Sequence, residues 1–191
     1  MKNLGHRLGA SGTILENTIE GFRNSFDLVS DNRFKYWEFD VRESSDEVLF
    51  VFHDDHIPVD GSMVETRKLN FVDISKAGNS IKISIPTFEQ VVEAMGSRKE
   101  RVMIEIKNVH SDTAREELLS SVSGKKDWML MSTPERFLQS FPSETRKHWN
   151  ERADELGVKL VRVGRHRVDL FNASKHRISW YFAAPKWFFG F

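Results

Sequence analysis

The chain has 191 residues, enough for one domain with a sizeable hydrophobic core. Its 28 basic and 28 acidic side chains cancel, and 39% of its residues are hydrophobic, so the composition argues against a disordered chain and gives no reason to expect a nucleic-acid partner. There is no cysteine, which excludes disulfides, thiolate metal sites and a cysteine nucleophile.

The N-terminal stretch and the absence of long apolar runs and linkers bear on cellular location and domain organisation. The N-terminal stretch MKNLGHRLG lacks the apolar segment of a signal peptide, and no apolar run is long enough to cross a bilayer. We therefore expect a cytoplasmic protein. No repeat, low-complexity tract or linker divides the chain, so residues 1–191 are predicted to form a single domain.

Apolar runs predict seven short strands, at residues 3–7, 36–42, 48–53, 102–107, 128–132, 159–163 and 178–183. Amphipathic segments predict helices at residues 16–29, 87–95, 113–122 and 134–156. A capping box starts the second of these helices at Thr87, and Pro134 occupies the first turn of the last one. We expect that last helix to break near Pro142.

The alternation of strands and helices predicts an α/β fold with a parallel sheet and helices packed outside it. Seven or eight strands suit a compact (β/α)8 barrel of the TIM type, in which chemistry takes place at the carboxyl ends of the strands. Such barrels have roughly 250 residues, so some outer helices in the C-terminal half are expected to be missing or shortened. On topology alone, a doubly wound sheet remains an alternative.

Carboxylates interrupt two of the predicted strands. Glu38 and Asp40, in the stretch YWEFDVR, lie two positions apart and therefore on one face of their strand. Glu105 and Lys107 share a face of VMIEIK in the same way. If the strands are neighbours, the three carboxylates repel one another unless a cation lies among them. An all-oxygen donor set suits Mg²⁺ or Ca²⁺, whereas a wet face on an edge strand is the plain alternative.

Histidines and cations fall at the ends of the neighbouring predicted strands. The first strand ends in His6 and Arg7, and the third in His53, which Asp54 follows. Two histidines beside a metal ion suit acid–base catalysis near neutral pH. Arg7 and Lys107 supply positive charge for an anionic substrate such as a phosphate. Together these groups are typical of phosphoester cleavage.

The motifs that carry these residues resemble a known family. GHRLGASGTILENTIEGF, YWEFDV, FVFHDD, IPTFEQV and MIEIK occur in the order and approximate spacing of the glycerophosphodiester phosphodiesterases. The resemblance covers roughly the first 110 residues, and the ordered set is far more specific than any one piece. It implies a (β/α)8 barrel that splits a glycerophosphodiester into glycerol 3-phosphate and an alcohol.

The resemblance also implies roles for individual residues. His6 and His53 would be the catalytic acid–base pair, and Arg7 and Lys107 would bind the substrate phosphate. The carboxylates would hold a divalent metal, Mg²⁺ or Ca²⁺, through Glu38, Asp40 and Glu105. The substrate would be a small-molecule glycerophosphodiester, which links the enzyme to lipid and glycerol metabolism.

Supporting residues and departures follow from the same comparison. Glu16 and Asn17, in the ENT element, would support the first loop and open the first helix. Leu8 replaces a glycine that is common in the family, so this loop is expected to take a different path, and Leu15 replaces a frequent proline. Trp180, in RISWYFA, would be the counterpart of a closing tryptophan. Asp54 is expected either to orient His53 or to cap the turn.

Two other functions remain open at this level. A phospholipase D-like enzyme would use the same site on a lysolipid, because related barrels share the ExD and HD elements. A catalytically retired barrel would bind a phosphorylated ligand without turnover, which the short C-terminal half suggests. The presence of every expected catalytic residue favours the phosphodiesterase.

The C-terminal stretch ISWYFAAPKWFFGF combines aromatic and basic residues. It allows a weak contact with an anionic membrane surface, the packing of a last strand, or a contact between subunits of a homo-oligomer. We favour packing, in the core or between subunits, because an exposed cluster of this kind would reduce solubility.

Overall fold

The computed structural model describes residues 3–163 and 168–170. The strands in these ranges are β1 (Trp37–Glu43), β2 (Leu49–Val51), β3 (His56–Val59), β4 (Ser62–Glu65), β5 (Val102–Asn108), β6 (Trp128–Ser132), β7 (Leu160–Val163) and β8 (Val168–Leu170). The α-helices are α1 (Ile19–Asn24), α2 (Phe71–Ser80), α3 (Phe88–Met95), α4 (Asp112–Val122), α5 (Pro134–Ser140) and α6 (Arg146–Glu155). Two short 3₁₀ helices cover Phe26–Ser30 and Thr66–Lys68.

Six of these strands form one sheet in the order β2-β1-β5-β6-β7-β8, and β3 and β4 form a separate hairpin. Strands β1, β5, β6 and β7 run parallel, whereas β2 and β8 pair antiparallel at the two edges. The predicted α/β fold with a largely parallel sheet is therefore confirmed. Within the described ranges the sheet is open, because β2 and β8 do not pair with each other.

The predicted strand at residues 3–7 is wrong. This segment consists of turns, and Arg7 and Leu8 both have positive φ angles, 52° and 59°. The segment nevertheless lies along β1, because Glu38 donates its backbone N–H to Gly5 O at 2.9 Å and accepts one from Leu8 at 2.7 Å. Gly5 permits this approach, since a Cβ atom there would lie 2.0 Å from Tyr36 O. The turns thus bring His6 to the edge of the sheet without forming a strand.

The predicted strand at residues 48–53 is shorter than expected and reversed in direction. Strand β2 ends at Val51 and runs antiparallel to β1, with Val51 opposite Val41. The chain then continues back along β1, where Phe52 donates its backbone N–H to Asp40 O at 3.0 Å. His53 therefore follows a strand that runs antiparallel to β1, one residue beyond the point where Phe52 bonds to Asp40. It does not lie at the carboxyl end of a parallel strand.

Several helices differ in extent from their predictions. The segment predicted as one helix at residues 16–29 starts after the Thr18 cap as α1 and continues as a 3₁₀ helix. The capping box at Thr87 and the break near Pro142 are both present, since α5 ends at Ser140 and α6 begins at Arg146. Helix α2, which Asn70 caps, and the β3–β4 hairpin were not predicted. The predicted strand at residues 178–183 lies outside the described residues.

The core lies between the sheet and its helices. On β1, Phe39 and Val41 are fully buried, and Phe39 packs against Phe88 of α3 with ring centroids 6.2 Å apart. Ile104 of β5 and Leu130 of β6 continue the same cluster. Each such side chain contributes roughly 1.5–3 kcal/mol of burial free energy, which fixes the strands that carry the polar residues. None of the described helices is long and apolar enough to span a membrane.

Candidate active site

Strands β1 and β5 bring three carboxylates together. The two strands are parallel neighbours in which Asp40 lies opposite Glu105 and Glu38 lies opposite Met103. One oxygen from each of Glu38, Asp40 and Glu105 lies within 4.8 Å of the others. Glu38 and Asp40 are buried, with 3% and 1% of their surfaces exposed. The period of two along each strand therefore produces the predicted cluster.

Glu38 has one buried carboxylate oxygen without a hydrogen-bond partner. Its Oε2 accepts the backbone N–H of Arg7 at 2.8 Å, whereas its buried Oε1 has no hydrogen-bond partner. Burial raises the pKa of Glu38 well above its ordinary value, and the charge of Asp40 raises it further. A buried carboxylate oxygen without a partner is costly unless a cation reaches it.

Asp40 is held from two sides. Asn17 donates its side-chain Nδ2–H to Asp40 Oδ2 at 2.8 Å, and Asp40 returns its backbone N–H to Asn17 Oδ1 at 3.3 Å. Asn17 has a φ of 59°, a left-handed conformation that asparagine tolerates better than most residues. The ENT element therefore bonds directly to a site carboxylate, besides preceding α1.

Lys107 bridges two of the three carboxylates. Its Nζ lies 2.6 Å from Glu105 Oε1 and 3.1 Å from Asp40 Oδ1. Burial disfavours the charged ammonium, but Asp40 and Glu105 outweigh that effect and raise the pKa of Lys107 above its ordinary value. The side chain is therefore a fixed positive charge inside the cluster.

Arg7 is the second cation at the site. Its Nη1 donates to Glu16 Oε1 at 2.6 Å, and its buried Nε lies 3.8 Å from Asp40 Oδ2 without a hydrogen bond. Glu16 Oε2 also accepts the backbone N–H of Gly12 at 2.9 Å, so Glu16 ties the first loop together. The buried side chain of Leu8 accompanies a left-handed backbone, a conformation that costs a non-glycine residue roughly 1–2 kcal/mol.

The structure places His6 beside a site carboxylate and His53 beside Asp54. His6 Nε2 lies 3.6 Å from Glu38 Oε2, and its Nδ1 lies 2.9 Å from Ser11 Oγ. His53 Nδ1 lies 2.7 Å from Asp54 Oδ1, which favours the interpretation of Asp54 as an orienting residue. Both imidazoles are partly exposed, each with 32% of the side-chain surface accessible.

The donor chemistry of the cluster fits a divalent cation. Four carboxylates, those of Glu16, Glu38, Asp40 and Glu105, surround two permanent cations, Arg7 and Lys107, a difference of two negative charges when all are ionised. Every candidate ligand atom is a carboxylate oxygen, and one of these oxygens is buried without a hydrogen bond. Hard ions such as Mg²⁺ and Ca²⁺ prefer such donors.

Comparison with known proteins adds an independent finding. The model of the glycerophosphoryl diester phosphodiesterase family matches residues 6–186. The chain belongs to this family. The expected resemblance is thereby confirmed, and so is the expectation that the protein is a phosphodiesterase enzyme. No curated protein matches the chain in sequence.

Solved structures agree with the glycerophosphoryl diester phosphodiesterase fold. A glycerophosphodiester phosphodiesterase from Thermotoga maritima is 24% identical, with a TM-score of 0.50 over 84% of this chain and 73% of its own. A candidate enzyme of the same kind from Galdieria sulphuraria is 21% identical, with a TM-score of 0.58 over 85% of this chain and 64% of its own. A glycerophosphoryl diester phosphodiesterase from Parabacteroides distasonis is 17% identical, with a TM-score of 0.55 over 93% of this chain and 56% of its own. At these identities the structures show the fold, which is of the TIM-barrel class.

Three residues beside the site of this phosphodiesterase were not predicted from the sequence: Arg42, Asp55 and Arg136. Arg42, buried on β1, donates to Phe52 O, His53 O and Asp55 Oδ1. Arg136 of α5 holds both oxygens of Asp55, at 2.8 and 2.7 Å. Arg42 continues the period-two series of Glu38 and Asp40, which was the available signal. Trp180, predicted to be the counterpart of the family's closing tryptophan, lies outside the described residues.

Proposed function

We propose that this phosphodiesterase hydrolyses glycerophosphodiesters to glycerol 3-phosphate and an alcohol, with a divalent metal ion and two histidines. The observation that supports the proposal best is the carboxylate cluster of Glu38, Asp40 and Glu105, whose oxygens lie within 4.8 Å of one another. Membership of the family supplies the substrate class and the small-molecule partner.

Glu38, Asp40 and Glu105 would hold the metal, either Mg²⁺ or Ca²⁺. Such an ion supplies charge stabilisation for phosphoryl oxygens when it is bound. The buried Oε1 of Glu38 supports its assignment as a ligand, because that oxygen has no other partner. The bond from Asn17 to Asp40 would orient a second ligand, as outer hydrogen bonds do in metal sites generally.

Arg7 and Lys107 would bind the substrate phosphate. The ammonium of Lys107 lies among the carboxylates and remains charged, so it places a positive charge beside the proposed metal site. Arg7 Nε is buried, lacks a hydrogen-bond partner and lies near Asp40. A donor of this kind suits a phosphoryl oxygen, because the rigid guanidinium group loses little conformational entropy when it bonds to a phosphate.

His6 and His53 would move the protons. In this proposal the neighbouring hydroxyl of the glycerol attacks phosphorus while one imidazole takes its proton. The new P–O bond closes a cyclic phosphate, the bond to the alcohol breaks, and the other imidazole donates a proton to the leaving oxygen. Water then opens the ring to give glycerol 3-phosphate. The contact with Asp54 would fix the ring orientation of His53.

The test is release of glycerol 3-phosphate from glycerophosphocholine and glycerophosphoethanolamine with Mg²⁺, with Ca²⁺ and with EDTA. In His6→Ala and His53→Ala proteins, checked for folding by circular dichroism, we expect the activity to fall by at least about 100-fold, the usual contribution of acid–base groups. Glu38→Ala is expected to lose activity as well, because it removes a proposed metal ligand. His148→Ala, on α6, is the matched control. Equal activity in EDTA, or full activity in the His6 and His53 variants, would contradict the proposal.

A further inference from the structure

A polar cavity of about 590 Å³ opens beside the candidate active site. Its walls include Arg42 at the end of β1, Asn108 at the end of β5, and Arg136 and Gln139 of α5. The site carboxylates Asp40 and Glu105 precede Arg42 and Asn108 on the same two strands. The cavity therefore lies at the carboxyl edge of β1 and β5, where an α/β barrel presents its substrate.

Two hydrogen bonds join the cavity wall to predicted site residues. Arg42 Nη2 donates to His53 O at 2.5 Å, and Arg136 Nη1 donates to Lys107 O at 3.1 Å. The same two arginines line the cavity. The part of a substrate that extends away from the phosphate, on the side of His53 and Lys107, would thus enter this cavity.

The lining carries no apolar side chain among the residues that the structure describes. An acyl chain needs apolar walls, and a quaternary ammonium group such as choline is typically recognised by aromatic faces. Among the described lining residues there is no Phe, Tyr or Trp, and the rings present are the imidazoles of His56 and His110. Its chemistry instead suits a ligand that both donates and accepts hydrogen bonds.

The charged groups of the wall are largely paired with one another. Asp55 accepts hydrogen bonds from Arg42 and Arg136, and Glu65 accepts one from Arg67 at 2.6 Å. The side-chain amides of Asn108 and Gln139, by contrast, make no hydrogen bond to the described part of the chain. Neutral amides of this kind are matched to hydroxyl groups, since each can donate and accept.

We propose that this cavity binds the alcohol half of the substrate and selects a polyhydroxylated alcohol, such as glycerol or inositol. This inference rests on the proposed function and deepens it, because it names the leaving group. Asn108 and Gln139 are the specificity-determining residues. The enzyme then discriminates against glycerophosphocholine and against lysolipids.

Binding to the full-length His6→Ala protein, measured by calorimetry with Mg²⁺, tests the inference without turnover. The ligands are glycerophosphoinositol, glycerophosphoglycerol, glycerophosphocholine and a short-chain lysophosphatidylcholine kept below its micelle concentration. We expect the two hydroxylated ligands to bind at least about tenfold more tightly than the other two, as one or two hydrogen bonds would give. Tighter or equal binding of the choline ligands, or no binding of any ligand, would overturn the inference.

Variants of the amides make the test specific to the cavity. Asn108→Leu and Gln139→Leu, each in the His6→Ala background, are expected to weaken binding of the hydroxylated ligands about threefold to tenfold and to leave the choline ligands unchanged. Gln139 is exposed, so its variant folds even if Asn108→Leu does not. Asn79→Leu, on the exposed surface of α2, is the matched control. Equal weakening of all four ligands would overturn the assignment.

The unaltered protein separates this inference from the proposed function. Release of glycerol 3-phosphate from any of the four compounds supports the phosphodiesterase, whatever the order of preference. Absence of release from all four contradicts the proposed function, while the calorimetric order still decides what the cavity binds.

Discussion

The buried guanidinium of Arg42 donates a 2.5 Å hydrogen bond to the backbone carbonyl oxygen of His53. Its other nitrogens bond to Phe52 O at 3.1 Å and to Asp55 Oδ1 at 2.8 Å. A residue of β1 thereby holds the segment that follows β2. We infer that Arg42 is a positioning residue, which acts on the chemistry through His53.

Replacing Arg42 with methionine tests this relationship. The change removes the guanidinium donor to Phe52 O and His53 O and one of the two donors to Asp55 Oδ1. We therefore expect kcat to fall by about 100-fold through misplacement of His53, with KM changed much less. Arg33→Met, at an exposed pair with Asp31, is the control. A loss of folded protein with an unchanged kcat per folded molecule would indicate a merely structural role.

Acid should weaken the link between α5 and the His53 segment. The hydrogen bond from Arg136 holds the pKa of Asp55 well below its ordinary value, and Arg42 adds to the effect. A carboxylate with a lowered folded-state pKa stabilises the fold above its unfolded pKa of about 3.9 and loses that contribution as the pH falls below it. We expect the difference in Tm between the unaltered protein and Asp55→Asn to be largest near neutral pH and to narrow from about pH 5 to pH 2.

Melting curves at a series of pH values check this sign. Asp60→Asn, in the exposed turn between β3 and β4, is the control and should follow the unaltered protein at every pH. A constant difference between Asp55→Asn and the unaltered protein across the pH range would show that the charge of Asp55 does not matter.

Removing the side chain of Asn17 should weaken the proposed metal site. Asn17→Ala deletes the donor to Asp40 and leaves a buried carboxylate oxygen with one partner fewer. We expect the dissociation constant for Mg²⁺ or Ca²⁺, measured by calorimetry, to rise about 10- to 100-fold. Asn32→Ala, at an exposed position, should leave it unchanged. Unchanged affinity in the Asn17 variant would show that the bond to Asp40 does not orient a ligand.

The sheet core should respond far more strongly than the helix surface to the same substitution. Leu130 of β6 is fully buried, whereas Leu138 of α5 is 48% exposed. We expect Leu130→Ala to lower the free energy of unfolding by about 2–5 kcal/mol. The matched Leu138→Ala should change it by about 0.5 kcal/mol or less. Urea denaturation measures both, and equal effects would contradict the described packing of β6.

The sequence allowed the carboxylate cluster to be predicted because strand geometry fixes it. Glu38 and Asp40 had to share a face of β1, and Glu105 and Lys107 had to share a face of β5. Their mutual proximity required that β1 and β5 be neighbours, which the register confirms. Local spacing therefore predicted which residues of each strand share a face, and the pairing of β1 with β5 brought the three carboxylates together.

The direction of β2 is where the sequence interpretation failed. Residues 43–47 are too few for a parallel crossover, which needs a dozen or more residues, so an antiparallel hairpin was the available alternative. The segment at residues 3–7 was misassigned for a different reason. Its backbone hydrogen bonds to Glu38 resemble those between neighbouring strands. The left-handed conformation of Arg7 and Leu8 nevertheless prevents the segment from being extended.

Spacing placed Arg42 on the same face of β1 as Glu38 and Asp40, but it did not reveal the partners of Arg42 or of Arg136. Arg136 reaches Asp55 from α5, 81 positions away in the chain, and no local pattern encodes such a contact. Arg42 lies on β1 like the carboxylates, but its partners depend on how the chain turns back after β2. Contacts of this kind follow from tertiary packing, which a single sequence does not display.

The measurement that tests the central claim most directly is ³¹P NMR of glycerophosphoglycerol incubated with the chelator-treated enzyme, before and after addition of Mg²⁺ or Ca²⁺. We predict that the diester signal is converted into that of glycerol 3-phosphate only after metal is added, and that Asp40→Asn abolishes the conversion. Conversion without metal, or none with either ion in a folded protein, would contradict a metal-dependent phosphodiesterase site at Glu38, Asp40 and Glu105.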